Sequence, residues 1–340
     1  MKKLLALIAA FMAIPLFLYV LVSMDQQARH PGLQEVELPP LISVRDFYGS
    51  QDTGRNFGML TKRIDISWPL AAEPGAGISA QLLLPQTRPD PGPLPTVVMI
   101  ESGSPGEDNW ENERDKQFLA NRGYAVLSID CREMAGFERS IIGADLKPYG
   151  QCTENQLTDL ARWLVTKGTA DPKAMAIIGS GVGGHAVLMM MSEDPDLFKA
   201  AIVHSAITAL ASPQAQIPCG THPKPDDKES CLTAPEADRE AEIVAVRSPI
   251  NHVDTIQGSI MITHGRADKS VNFEQVRAYS RALTKAKKDH EMTYFDHDGH
   301  GYSRWQTRVH IARLTERFLA DQLGGRNGRY DYIQLIAKLF

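Results

Sequence analysis

Three short stretches of this chain carry residue types suited to acyl transfer, and each follows an apolar run. The first is Gly179-Ser180-Gly181-Val182-Gly183-Gly184, after Ala174-Met-Ala-Ile-Ile178. A G-x-S-x-G sequence presents a nucleophile on a sharp strand-to-helix turn. Its flanking glycines are needed because the two backbones approach too closely for a Cβ. That crowding sets the register. Gly179 and Gly183 become the flanking pair, and the nucleophile position falls on Gly181, which has no side chain to attack with. The alternative nucleophile, Ser180, would put Ile178 and Val182 in the two crowded positions, so Ser180 is expected to point away. The second stretch is His264-Gly-Arg-Ala-Asp268, after Ser259-Ile-Met-Ile-Thr263. An acid soon after a strand end is well placed to orient a histidine. The third is Asp298-Gly299-His300-Gly301-Tyr302, after Glu291 to Phe295. A histidine between glycines on a loop can reach across strand ends as a general base. Any one Asp or His is more often structural. The order of turn, acid and histidine, each behind its own strand, is what makes the set chemical.

The elements that must position these residues have a regular texture. Arg63 to Trp68 alternates, and Ile78 to Leu84 reads as its hairpin partner. Short apolar runs then alternate with helical patterns. The strands are Thr96–Ile100, Tyr124–Ile129, Ala174–Ile178, Ala200–His204, Ser259–Thr263 and Glu291–Phe295. The helices lie near Asn112–Asn121, Glu154–Thr166, Gly183–Met191, Phe273–Thr284 and Trp305–Leu323. Continuous apolar strands between amphipathic helices predict a mostly parallel sheet covered on both faces, with antiparallel strands at its N-terminal edge. Such sheets keep their sites at the carboxyl ends of the strands. Thr208 to about Val246, rich in Ala, Pro and charge, breaks the rhythm and reads as a small cap insertion. His185 and His204 could line the pocket but read as packing residues, and Met189–Met191 as core.

With these pieces in place, the segment from about Thr96 to Leu323 resembles the catalytic domain of the prolyl oligopeptidase family, an α/β-hydrolase fold, with dienelactone hydrolases as near relatives. The matching residues are Phe118-Leu-Ala-Asn-Arg-Gly-Tyr-Ala-Val126, Asp196-Leu-Phe-Lys-Ala-Ala201, Ser248-Pro-Ile250, His264-Gly265 with Asp268, and Gly299-His300-Gly301. The resemblance implies that Asp268 and His300 are the acid and base of a triad, and that the Val182 N–H is an oxyanion donor. Two departures stand out. Where the family usually has His-Gly-Gly, this chain has Glu101-Ser102-Gly103-Ser104-Pro105-Gly106, so Ser102 or Gly103 N–H is the candidate second donor. The larger departure is Gly181. The propeller of the large oligopeptidases is also missing from these 340 residues, so no gating by peptide length is expected.

Composition bounds the rest. Hydrophobic residues make up 43% and charged residues 23%, as in an ordinary globular domain. Thirty-six basic against 41 acidic residues give a net charge of -5 with no basic stripe, which argues against nucleic acid as a partner. Lys285 to Lys288, the densest basic run, reads as a solvated helix end. Lys2 and Lys3 precede an unbroken apolar run from Leu4 to Val22. A positive n-region before a run near spanning length predicts an export signal, preferably an uncleaved single-pass anchor in the inner membrane over residues 1–24. The positive-inside rule then puts the body on the periplasmic side. A cleaved signal and release to the periplasm is the alternative. Residues 25–58 read as a linker and N-terminal extension, 59–325 as the hydrolase domain, and 326–340 as a tail helix that docks on the domain or lies on the membrane surface.

Four cysteines, Cys131, Cys152, Cys219 and Cys231, suit disulfides in an oxidising compartment. Cys219 and Cys231, flanking a polar Pro-rich stretch, are the expected pair. No CxxC or HxxxH spacing favours a metal, and no cofactor is expected. The expected ligand is a small ester or a peptide-like molecule. Two functions remain: a non-catalytic or weakly active descendant that keeps its pocket for binding, or a hydrolase in which His300, oriented by Asp268, activates water directly.

Overall fold

The computed structural model describes residues 28–34, 37–39, 41–48, 61–69, 77–86, 92–101, 110–131, 154–210 and 244–328. The N-terminal apolar run, Cys219, Cys231, most of the expected cap and all but residues 326–328 of the expected tail helix lie outside them. No helix among the described residues is long and apolar enough to cross a membrane. Cys131, buried just past a strand end, is not a free thiol.

Eight strands form one sheet: β1 Thr61–Pro69, β2 Gly77–Pro85, β3 Leu94–Glu101, β4 Ala125–Asp130, β5 Ala170–Ser180, β6 Ala200–His204, β7 Ser259–Gly265 and β8 His290–Phe295. Their order is β1-β2-β4-β3-β5-β6-β7-β8. β1 and β2 are antiparallel, and β2 joins β4 antiparallel. Every pairing from β4 to β8 is parallel. The chain therefore has the α/β fold that its alternation predicts.

The helices are α1 Pro31–Gln34, α2 Val44–Tyr48, α3 Trp110–Asn121, α4 Glu154–Thr166, α5 Gly181–Glu193, α6 Phe273–Lys285 and α7 Trp305–Leu323. Alternate residues of the central strands feed two cores. On one face Val98, Ile177, Val203 and Ile262 meet Leu157 and Leu164 of α4, Val187 and Met190 of α5, and Val276 and Leu283 of α6. On the other, Val97, Ala176, Ile202 and Met261 meet Phe118 and Leu119 of α3 and Ala312 and Leu319 of α7. Helix α5 is buried from Gly183 through Ser192, which explains its run of three methionines.

One expectation needs revision. Part of the stretch read as a linker packs on the domain, because its few apolar residues find partners there. Val44, Phe47 and Tyr48 are buried, and both rings meet Phe118 edge-on at 5.5 and 5.3 Å. Beneath them, buried Arg122 stacks on Phe118 at 4.2 Å and pairs with buried Glu316 at 2.8 Å. Arg326 donates to the carbonyl of Pro39 and to that of Asn121. The Asn121 side chain in turn accepts from Ile42 N–H. These bonds gather the chain on both sides of the sheet domain to the C-terminal end of α3.

Candidate active site

The strand-to-helix turn after β5 has the geometry that crowding predicts. A Cβ on Gly179 would lie 2.4 Å from the Gly183 carbonyl oxygen, a distance no real side chain occupies. Gly181 has φ +53, in the left-handed region, and stands at the first residue of α5. Ser180 is instead the last, extended residue of β5, with φ -124 and ψ 148. It lines a cavity of about 220 Å³ on the α3–α7 side of the sheet, together with Glu101, Phe118, His204, Tyr302 and Arg308. Neither Gly181 nor His300 lines that cavity, so position 181 and Ser180 look into different spaces.

The acid loop after β7 is stapled by polar bonds. Asp268 Oδ1 accepts from the N–H groups of Ser270 and Val271 at 2.8 and 2.9 Å. Its Oδ2 lies 2.9 Å from His300 Nδ1, and the carboxylate is shielded from solvent. Burial alone would raise this carboxyl, but the His300 and Val271 hydrogen bonds, with that from Ser270, hold it below its ordinary value. His264, fully buried, lies 3.0 Å from the Val271 carbonyl and closes the same loop. Burial lowers its pKa, so it remains neutral.

The histidine loop after β8 docks directly on the acid loop. A Cβ on Gly265 would meet the Asp298 carbonyl oxygen at 2.4 Å, and Ala267 N–H donates to that same oxygen at 3.0 Å. Buried Asp298 accepts from Thr307 of α7 at 2.6 Å, which fixes the start of the loop. The outcome is measured at the elbow. His300 Nε2 lies 3.3 Å from the place where a Cβ on Gly181 would sit.

Asp268, His300 and Gly181 thus come together from three separate strand ends, in a line of carboxylate, imidazole and turn. Residues 110–326 match the prolyl oligopeptidase family over most of the chain. The chain belongs to that family. Dipeptidyl aminopeptidase BIII of Pseudoxanthomonas mexicana is 29% identical over 238 residues, which cover 69% of this chain and 34% of that protein. Dipeptidyl peptidase family member 6 of Caenorhabditis elegans is 26% identical over 255 residues, covering 73% and 34%. The chain therefore spans about a third of the length of these family members. Among solved structures, a puromycin-hydrolyzing peptidase of Mycobacterium tuberculosis superposes with a TM-score of 0.60 at 23% identity. That match covers 78% of this chain and 40% of the other. An acylaminoacyl peptidase complexed with a chloromethyl ketone superposes with a TM-score of 0.60 at 17% identity, covering 82% and 44%. At that identity the likeness is one of fold, the α/β hydrolase fold.

Other family features fall unevenly. Val182 is in the first turn of α5, where N–H groups lack intrahelical partners. Ser102 and Gly103 lie outside the described residues. His185 is a packing residue, fully buried with Nδ1 3.1 Å from the Ile207 carbonyl. His204 faces the cavity, and its Nδ1 lies 2.6 Å from Thr263 Oγ1. Burial pushes both imidazoles down to about 4. Two participants were not singled out from sequence. Glu101 ends an otherwise apolar strand and is buried in an ion pair with Lys116 at 3.1 Å. Its charge at the end of an apolar run was the available signal. Thr263, fully buried, meets Tyr302 OH at 2.8 Å, and no spacing rule points to it. Among the described residues no group of three or more His, Cys, Asp or Glu could hold a metal ion.

Proposed function

We propose that this chain is a member of the family from which the covalent step has been removed. In this reading it binds a small ester or peptide-like ligand at the strand ends and hydrolyses it weakly or not at all. The observation that carries this reading is the turn itself: φ +53 at Gly181, with His300 Nε2 3.3 Å from the missing Cβ. The base addresses a position that holds no nucleophile. Backbone N–H of Val182, and of Ser102 or Gly103, would still be offered to a carbonyl oxygen. Relatives named as dipeptidyl aminopeptidases and acylamino-acid-releasing enzymes support a peptide-like ligand.

The same proposal extends to compartment. Lys2, Lys3 and the apolar run from Leu4 to Val22 support an inner-membrane anchor with the body on the periplasmic side, or a cleaved signal. A Cys219–Cys231 disulfide belongs to that picture. Four free thiols in exported protein, by mass spectrometry, would count against it.

A second reading is favoured by the intact Asp268–His300 bond at 2.9 Å. With no serine in the way, the imidazole could take a proton from water and direct hydroxide at the ligand. One experiment separates the two. Esterase activity and labelling by a serine-directed phosphonate are measured on the wild type beside Gly181→Ser. The first reading expects a wild type near background and a variant that labels and turns over roughly 10³-fold faster. A fast wild type, with the serine variant no faster, would establish the water-activating reading instead.

A further inference from the structure

Among the described residues His300 is held by one side-chain bond, that to Asp268, and its side chain is 38% exposed. An imidazole so placed keeps its aim only if the backbone beneath it is fixed. Two residues on, the backbone is fixed in an uncommon way. Tyr302 has φ +50, a conformation that a side-chain-bearing residue keeps only when its surroundings over-determine it. Its ring is 7% exposed and stands edge-on to Phe295 at 5.7 Å and to His204 at 6.1 Å. Its hydroxyl lies 2.8 Å from Thr263 Oγ1, which lies 2.6 Å from His204 Nδ1. Arg308 of α7 donates to the Tyr302 carbonyl at 3.2 Å. Ser205, next to His204, is also buried with positive φ, +46. Two strained residues thus meet one hydroxyl chain behind the elbow.

We propose that Tyr302 is a positioning residue for His300: its buried hydroxyl, tied through Thr263 to His204, pins the loop that aims the imidazole at position 181. The bonded chain runs from the His204 imidazole at the end of β6, through the Thr263 hydroxyl of β7, to the Tyr302 hydroxyl in the loop after β8, so three strand ends fix one loop. Burial pushes the phenol up to about 12, so the hydroxyl keeps its proton throughout the working range. The role rests on reading His300 as the base, and the test separates the two claims.

In the full chain, the proton between His300 Nδ1 and Asp268 is followed by NMR as a downfield resonance, and its exchange with water is timed. Tyr302→Phe keeps the ring and removes the hydroxyl; it should speed that exchange at least tenfold while unfolding stays cooperative. Thr263→Val should do the same, and Thr263→Ser, which keeps a hydroxyl, should restore the slow rate. Tyr279→Phe, on α6, is the control and should change nothing. In the Gly181→Ser background, Tyr302→Phe should lower kcat by roughly 10- to 100-fold with KM little changed, as a misaimed base would. Unchanged exchange and unchanged kcat in Tyr302→Phe would overturn the assignment. If Gly181→Ser has no activity at all, the reading of His300 as base fails, while the proton-exchange comparison still decides what Tyr302 does.

Discussion

The elbow after β5 and the paired loops after β7 and β8 face each other across the strand ends, and they are held by different forces. The elbow is held by backbone crowding: Gly179 touches the Gly183 carbonyl, and Gly181 takes a left-handed φ. Nothing in that geometry depends on a side chain at 181. The loops share one such backbone contact, Gly265 against the Asp298 carbonyl, but add side chains to it: Asp268 receives two backbone N–H groups and His300, while Asp298 receives Thr307. A turn of the first kind survives the loss of its reactive group unchanged. A site of the second kind unravels when one member goes. The contrast is what the proposed reading requires: the Asp268–His300 bond is kept beside a turn whose residue 181 has no side chain.

The largest expected effect breaks the loop side of this comparison. In the Gly181→Ser background, Asp268→Asn should cut kcat by roughly 10³- to 10⁴-fold, because the imidazole loses both its tautomer and its aim. In the chain that keeps Gly181, the same Asp268→Asn change should leave binding of a non-hydrolysable peptide analogue unaltered, measured by calorimetry. A large loss of binding would mean that the carboxylate serves the ligand rather than His300. The corresponding break on the elbow side is Gly179→Ala. Its Cβ would need to lie 2.4 Å from a backbone oxygen, so backbone must move at the centre of the sheet. A cost of about 4 kcal/mol, large for a single methyl group, is the expected result in denaturant titration. A cost under about 1 kcal/mol would show that the turn is not set by crowding.

The same division decided what was legible in the sequence. Strand and helix positions followed from apolar runs, and Trp305–Leu323 matches its predicted span residue for residue. The register at Gly181 was legible because steric rules for glycine are local. The Asp268–His300 pair was legible because each follows its own strand. The Thr263–Tyr302–His204 chain was not, since threonine in a buried strand looks like any β-branched filler. The docked segment around Val44 and Phe47 was also hidden. Its binding depends on a buried arginine, Arg122, and composition gives no reason to expect one inside.

Acid should reach the buried histidines, His185 among them, before it reaches the Asp268 carboxyl. His185, packed behind the elbow, has its folded pKa pushed down to about 4 by burial, against about 6.5 for an unfolded histidine. Between those values the unfolded chain binds the extra proton, so stability falls as pH drops from about 6.5 to about 4. One such ring contributes on the order of 3 kcal/mol across the window. The Asp268 carboxyl is also depressed, so its contribution persists through this window and is lost lower, as pH falls through the folded pKa. Urea midpoints against pH should therefore show a His185→Gln variant with a flatter slope between about pH 6.5 and about 4. Asp268→Asn should alter the more acidic limb, and it also removes the charge that opposes the burial shift of His264. If His185→Gln leaves the slope unchanged, the elbow region does not carry the acid sensitivity.

The smallest effect concerns position 181 itself, where strain and a new hydrogen bond oppose each other. A residue with a Cβ at φ +53 carries backbone strain on the order of 1–3 kcal/mol. The added Cβ also sits 3.3 Å from His300 Nε2, a contact that the exposed imidazole can relieve by a small shift. Gly181→Ala meets both costs with no return and should lose about 1–2 kcal/mol. Gly181→Ser meets the same strain, but its Oγ can bond to His300 Nε2, which offsets about 1 kcal/mol. The alanine variant should therefore melt lower than the serine variant, by about 2–4 °C for a domain of this size. Wild type should melt above both. If serine and alanine melt together, Oγ does not meet the imidazole, and the vacancy at the elbow is no longer shaped for a nucleophile.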